Sequence, residues 1–290
     1  MRRLIINADD FGLTAGVNRA IVEAHTRGVV TSATLMANGP AFEQAATLAK
    51  TAPGLSVGCH VVLIDGQPLL PAGQIRSLAS NRSHHFRDDL KAFAARALTG
   101  QIHGDEVAAE AAAQIRKVQA AGVAVSHLDT HKHTHLFPKI LRPLLRAAAQ
   151  CGVRALRNPF GPRLPLRSSD LFSRPNLWTR YAELHVLNRF AAKFRATVDH
   201  EGFSTPNGTL GIEVTGALDE NLFRAIARNI PEGTWEFVCH PGYNDAALQD
   251  VKTRLRESRE TELRVLTTPG ARELLSQEGI ELISYRSLSG

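Results

Sequence analysis

Residues 126–138 read Ser-His-Leu-Asp-Thr-His-Lys-His-Thr-His-Leu-Phe-Pro, and the rest of the chain is organised around them. Asp129, His131, His133 and His135 fall on alternate positions, which in an extended strand share one face. One carboxylate and three imidazoles on one face suit a divalent cation, because neutral imidazole and carboxylate are its common ligands. The bland alternative is a solvated histidine run. The apolar frame argues against it: Val123 and Val125 lead in, and Leu136 and Phe137 follow.

Outward from this stretch, short apolar runs alternate with amphipathic ones. Strands are predicted at residues 4–7, 30–36, 55–60, 123–129, 153–157, 210–214, 235–239 and 281–284. Helical periodicity falls at 16–27, 41–50, 88–98, 105–121, 138–150, 220–229 and 253–275, with Pro138 well placed as a first helical residue. Residues 65–81 read as a loop, and 159–207 as a long irregular insert in one domain spanning 1–290. About seven strands with intervening helices give an α/β protein with a parallel sheet, open or closed.

Composition narrows the classes. The chain has 290 residues, 43% of them hydrophobic, ample for a core. Three cysteines without framework spacing predict a reducing, cytoplasmic setting. The opening Met-Arg-Arg-Leu-Ile-Ile has too short an apolar run for a signal peptide, and no stretch approaches the roughly 20 apolar residues of a membrane span. The net charge of +6 suggests an anionic partner, but no nucleic-acid-binding signature is present, so no nucleic-acid partner is expected.

Polar residues recur at the carboxyl ends of the predicted strands: Asp9 and Asp10, His60, Asp129 and His131, Arg157 and His240. That edge carries the sites of α/β barrels and doubly wound sheets. Each residue has a plainer reading. A lone aspartate caps a helix, a lone histidine is core, an arginine pairs with a nearby acid, and His240 before Pro241-Gly242 is turn chemistry. Together they form a constellation. Cys59 and Cys239 precede two of the histidines and by alternation point the other way, into packing.

Ala8-Asp9-Asp10-Phe11-Gly12, Gly58-Cys59-His60, residues 127–135 and Cys239-His240-Pro241-Gly242 resemble, in order, the motifs of the YdjC-like carbohydrate deacetylases, which include the chitooligosaccharide deacetylases. The resemblance runs from Arg3 to about Tyr285 and is closest to the branch associated with hopanoid biosynthesis. It implies a distorted (β/α) barrel of about seven parallel strands, with the active site at their carboxyl ends. It also implies one divalent metal ion, zinc or magnesium, held by Asp10, His60 and His131. Asp9 would be the general base, and His240 the acid or oxyanion stabiliser. Arg157 would keep Asp9 ionised, and Asp129, His133 and His135 would orient ligands or contact sugar. The implied reaction removes acetyl from an N-acetylglucosaminyl group, on a glycosylated hopanoid in that branch. Val61 and Val62 stand where smaller polar residues often follow the histidine, predicting a more apolar pocket floor. A two-metal phosphoesterase, a soluble-chitooligosaccharide deacetylase and a non-catalytic sugar or lipid binder are the alternatives.

The insert carries much of the charge. Residues 163–200 hold six arginines and one lysine against Asp170, Glu183 and Asp199, leaving +4. Leu177, Tyr181, Leu184, Leu187, Ala191 and Phe194 recur at helical spacing beside Trp178 and Phe190, flanked by Arg180, Arg189, Lys193 and Arg195. Either this is a helix packed on the barrel, or residues 176–196 make peripheral contact with the inner face of a membrane near a lipid-linked substrate.

Overall fold

The computed structural model describes residues 1–80, 84–162 and 188–288. Its seven strands are β1 (Arg2–Phe11), β2 (Ser32–Leu35), β3 (Ser56–Val61), β4 (Leu128–Thr130), β5 (Gly208–Leu210), β6 (Gly233–Cys239) and β7 (Ile280–Ile283). They form one sheet in the order β4-β3-β2-β1-β6-β5, every described pairing parallel. β1 has only two edges, so β7, paired along residues 2–5, occupies the lower part of the edge that β2 uses from Asn7 onward.

The expected strand at 153–157 is not a full stave. It makes single parallel bridges, Leu128 with Leu156 and Ala155 with Ser204. It nevertheless spans the gap between the sheet ends. Leu128 N donates to Ala155 O (2.9 Å), Arg157 N to Leu128 O (2.9 Å), and Thr209 N to Phe160 O (3.0 Å). The curled sheet is thereby drawn into the distorted barrel expected of it.

Helices cover the outside, starting where the sequence offers caps. Thr14 accepts from Val17 N at the start of α1 (Ala15–Thr26), and Pro138 opens α5 (Pro138–Gln150). Between them lie α2 (Phe42–Thr51), α3 (Leu90–Thr99) and α4 (Gly104–Ala120). α5 buries Ile140, Leu141, Leu144 and Leu145, each worth roughly 1.5–3 kcal/mol of transfer free energy. The later helices are α6 (Ala191–His200), α7 (Glu220–Arg228), α8 (Ala246–Gln249), α9 (Glu257–Thr267) and α10 (Pro269–Gln277). The single helix expected over 253–275 is therefore two. Thr268 is extended and Pro269 cannot continue the backbone ladder, so α9 stops there.

Of the apolar stripe in the insert, Leu177, Trp178, Arg180, Tyr181, Leu184 and Leu187 lie outside the described residues. Its described end packs inward. Phe194 is buried, its ring 5.5 Å from that of Phe160 and 6.1 Å from that of His135. Val61 and Val62 are also wholly buried, and Gln114 of α4 brackets the Val62 backbone with two 2.8 Å hydrogen bonds. They are packing beside His60, apolar as expected of them. Cys59, Cys151 and Cys239 are free thiols, and no described helix is long and apolar enough to cross a membrane.

Candidate metal centre and active site

Strict alternation would send Asp9 and Asp10 to opposite faces of β1. The register forbids it: between Ala8 and Phe11, β1 spends one more residue than β2 does between Ala33 and Leu35. Asp10 takes φ 68°, a left-handed conformation that aspartate tolerates better than most residues. This bulge brings both carboxylates to one centre, a common use of bulges beside functional sites. Both are buried.

From β3, His60 presents its ring between them. Its Nδ1 lies 2.8 Å from Asp129 Oδ1, which directs Nε2 toward Asp10 Oδ1 (3.7 Å) and His131 Nδ1 (3.3 Å). His131 Nδ1 is also 3.7 Å from Asp10 Oδ1. β3 and β4 can approach this closely because position 58 is glycine. A Cβ there would stand 2.6 Å from the His127 ring.

Arg157, wholly buried, closes the other side. Its Nη1 and Nη2 bind Asp9 Oδ2 and Oδ1 at 2.7 and 2.6 Å, a bidentate fork. The same guanidinium reaches Asp129 Oδ2 (2.7 Å) and Glu236 Oε1 (2.7 Å). Tyr285 donates its hydroxyl to Glu236 Oε2, while Asn7 and Thr34 donate to Asp9. His240 Nε2 is 4.0 Å from Asp9 Oδ2, and its Nδ1 has no partner among the described residues.

The electrostatics separate the groups. Burial alone would raise Asp9, but Arg157, by charge and hydrogen bond, with His60 and His240, holds it well below the usual carboxylate range. Asp10 is also lowered against the pull of burial, chiefly by Arg259. For His60, burial is outweighed by Asp129, Asp9 and Asp10, and the imidazole rises to about 9. Burial takes His131 down to about 4 despite Asp10, and His133 to about 3 with Arg157 adding to the effect. Glu236 is raised by burial, only partly offset by Arg157.

The single histidine face expected over 129–135 is not what forms. β4 ends at Thr130, and residues 131–136 turn through a 3-10 segment in which Lys132 (φ 55°) and His133 (φ 52°) are left-handed. Asp129 and His131 stay at the centre. His133 feels the charges of Arg157, Asp9 and His240, and its Nδ1 is unpartnered among the described residues. His135 goes elsewhere: it is wholly buried, with Nδ1 2.6 Å from Thr130 Oγ1 and Nε2 3.2 Å from Arg157 O. Both ring nitrogens are engaged, so it ties Thr130 to Arg157 and offers no surface to a sugar. Asp129 is likewise buried, holding His60 and Arg157.

Sequence reading passed over Asn7, Thr34, Glu236, Arg259 and Glu262. Glu236 carried a signal, an acid between Trp235 and Phe237 in an apolar strand, where a charge is rare unless paired. Arg259 and Glu262 had none, lying in a charged helix that reads as solvated.

The donor set fits a cation. Two ligands about 2.0–2.1 Å from a tetrahedral ion stand about 3.3–3.4 Å apart, close to the 3.3 and 3.7 Å found among Asp10, His60 and His131. A hydrogen bond from His60 Nδ1 to Asp129 fixes the tautomer that leaves Nε2 its lone pair. A second acidic group, Asp9, His60 and Asp129, fits poorly, because Arg157 already lies against both carboxylates. That disfavours a two-metal centre.

Residues 3–277 match the family described as YdjC-like protein. The chain belongs to the YdjC-like family. It is 32% identical to a carbohydrate deacetylase of Brevibacillus brevis, over 99% of both chains. To a chitooligosaccharide deacetylase of Salmonella typhimurium it is 34% identical, over 96% of both. A crystal structure from Enterococcus faecalis V583, named as a candidate cellobiose-phosphate cleavage protein, superposes with a TM-score of 0.78 at 27% identity, covering 99% of this chain and 98% of that one. The expected enzyme class, a hydrolase acting on a linear amide, is that of the curated deacetylases.

Proposed function

We propose that this chain, as one deacetylase domain over 1–290, is a metal-dependent N-deacetylase that hydrolyses the acetamide of an N-acetylglucosaminyl group. The observation carrying this reading is that Asp10, His60 and His131 converge within 4.8 Å while Asp9 and His240 face each other beside them. Asp10, His60 and His131 would hold the cation, with zinc favoured over magnesium by the two imidazoles. A divalent ion bound there supplies polarisation of the amide carbonyl and acidification of water.

Asp9 accepts the proton from the attacking water. Arg157 keeps it ionised at neutral pH, at the expense of basicity. Of the two Asp9 oxygens, Oδ1 is crowded by Arg157, Asn7 and Thr34, so Oδ2 is the freer acceptor. His240 donates a proton to the departing amine from the same side as Oδ2. The products are the free amine and acetate. His133, whose Nδ1 has no partner among the described residues, would contact the sugar.

The carrier of the sugar is read as a lipid, a glycosylated hopanoid, on the strength of the basic, aromatic residues 163–200 and the resemblance to the hopanoid-associated branch. That reading puts the protein in the cytoplasm, touching the inner membrane face through residues 176–196. The burial of Phe194 limits any such surface to the part before it. The names of the curated relatives favour soluble chitooligosaccharides instead. Mass spectrometry of the metal-loaded enzyme with an N-acetylglucosaminyl lipid and with chitobiose tests both levels. Loss of 42 mass units, roughly one acetyl replaced by hydrogen, from the lipid alone supports the full reading, given an intact metal site. Loss from chitobiose alone refutes the lipid carrier, and loss from neither refutes the deacetylase.

A further inference from the structure

Helix α9 reaches both sides of the centre within one turn. Arg259 is buried, with Nη2 2.5 Å from Asp10 Oδ2 and Nε donating to Leu255 O. Three residues on, and so on the same helix face, buried Glu262 accepts from His240 N at 2.5 Å through Oε2 and from Gly216 N through Oε1. The Arg259 carbonyl accepts from Gly242 N, and a Cβ at Gly242 would stand 2.9 Å from Arg259 Cδ. The glycine of His240-Pro241-Gly242 thus leaves room for the arginine stem.

A buried guanidinium is expensive, and Arg259 Nη1 has no partner among the described residues. Hydrophobic packing would serve the helix better. What the guanidinium supplies is a hold on one oxygen of Asp10, a residue whose backbone is already left-handed. With Oδ2 taken, Oδ1 is the atom facing His60 and His131.

We infer that Arg259 and Glu262 are the positioning residues of the centre: Arg259 fixes Asp10 as a one-oxygen ligand, and Glu262 fixes the backbone from which His240 projects. This rests on the proposed metal-dependent function. Neither residue touches substrate in this assignment, so the two should part company in their readouts. Outer partners of metal ligands typically carry 10–100-fold in metal affinity.

The test is calorimetric titration of zinc into metal-stripped wild type, Arg259→Lys, Arg259→Met and Glu262→Gln, with kcat and KM on chitobiose for each loaded protein. Arg259→Met should raise the zinc Kd about 10–100-fold, and Arg259→Lys, which keeps the charge but not the reach, by less. Glu262→Gln should leave the zinc Kd within about twofold while kcat falls about tenfold or more at unchanged KM. If Arg259→Met does not fold, Arg259→Lys decides, and a wild-type Kd in it overturns the assignment. So does a zinc defect in Glu262→Gln equal to that of the arginine variants. Wild type that takes up no zinc would overturn the proposed function, whereas normal uptake by wild type and both arginine variants would overturn this inference alone.

Discussion

Asp9 and Asp10 are neighbours in one strand, both buried, both facing an arginine, and they are held in different ways. Asp9 gives both oxygens to the fork of Arg157, which comes from the stretch closing the barrel. Asp10 gives only Oδ2 to Arg259, from a helix outside the sheet, and keeps Oδ1 toward two imidazoles. Both carboxylates are thereby held ionised, and the proposed function gives them different tasks, Asp9 to accept a proton and Asp10 to hold a cation. The difference lies in how many donors each oxygen already has, not in residue type or burial.

The largest effects should come from the cation side. Asp10→Asn, His60→Ala and His131→Ala each remove or neutralise one of the three proposed ligands, so stoichiometric metal should be lost and turnover should fall to background. Metal analysis of the purified variants checks this, and full occupancy in all three would end the ligand assignment. Asp9→Asn should keep its metal and lose about 10²–10⁴-fold in kcat, the range of general-base catalysis. Were Asp9→Asn to lose metal as Asp10→Asn does, the two carboxylates would share one role.

A smaller effect sharpens the base side. His240→Ala should retain metal and lose about 10²-fold on an acetamide, but less on an activated acetate ester, whose leaving group needs no proton. Equal losses on both substrates would reassign His240 to oxyanion stabilisation.

Strand ends carrying Asp9, Asp10, His60, Asp129, His131 and Arg157 were legible in the sequence because a charge closing an apolar run is locally conspicuous. The parallel order followed from alternating strands and helices. The path of 131–136 was not legible, since period-two spacing says nothing about where a strand stops, and two left-handed residues undo the alternation. Arg259 stayed hidden for a different reason. In a helix reading Glu-Ser-Arg-Glu-Thr-Glu-Leu-Arg, a buried arginine looks like its solvated neighbours until the fold brings Asp10, 249 residues away, against it. The same holds for Glu262 and His240.

Another buried carboxylate, Glu213, shifts the other way from Asp9 and Asp10. Glu213 follows β5, is 7% exposed, and its Oε2 has no partner among the described residues. Burial, only partly countered by the backbone of Glu213 and Gly211, raises it to about 7, opposite in direction to Asp9 and Asp10. The sign of the linkage follows. Below pH 4.5 the group is protonated folded or unfolded and costs nothing. Between 4.5 and about 7 the unfolded chain releases the proton that the folded protein retains, so stability falls as pH rises, and the full penalty stands above 7. Its size is on the order of 3 kcal/mol. Glu213→Gln removes this titration and little else, so urea unfolding of both proteins at pH 5 and pH 8, in the same metal state, isolates it. The loss of stability between those pH values should be smaller in the variant by about 1–3 kcal/mol, since other titrating groups are common to both. Parallel behaviour would mean that Glu213 is ionised in the fold, and that burial at this position does not hold its proton.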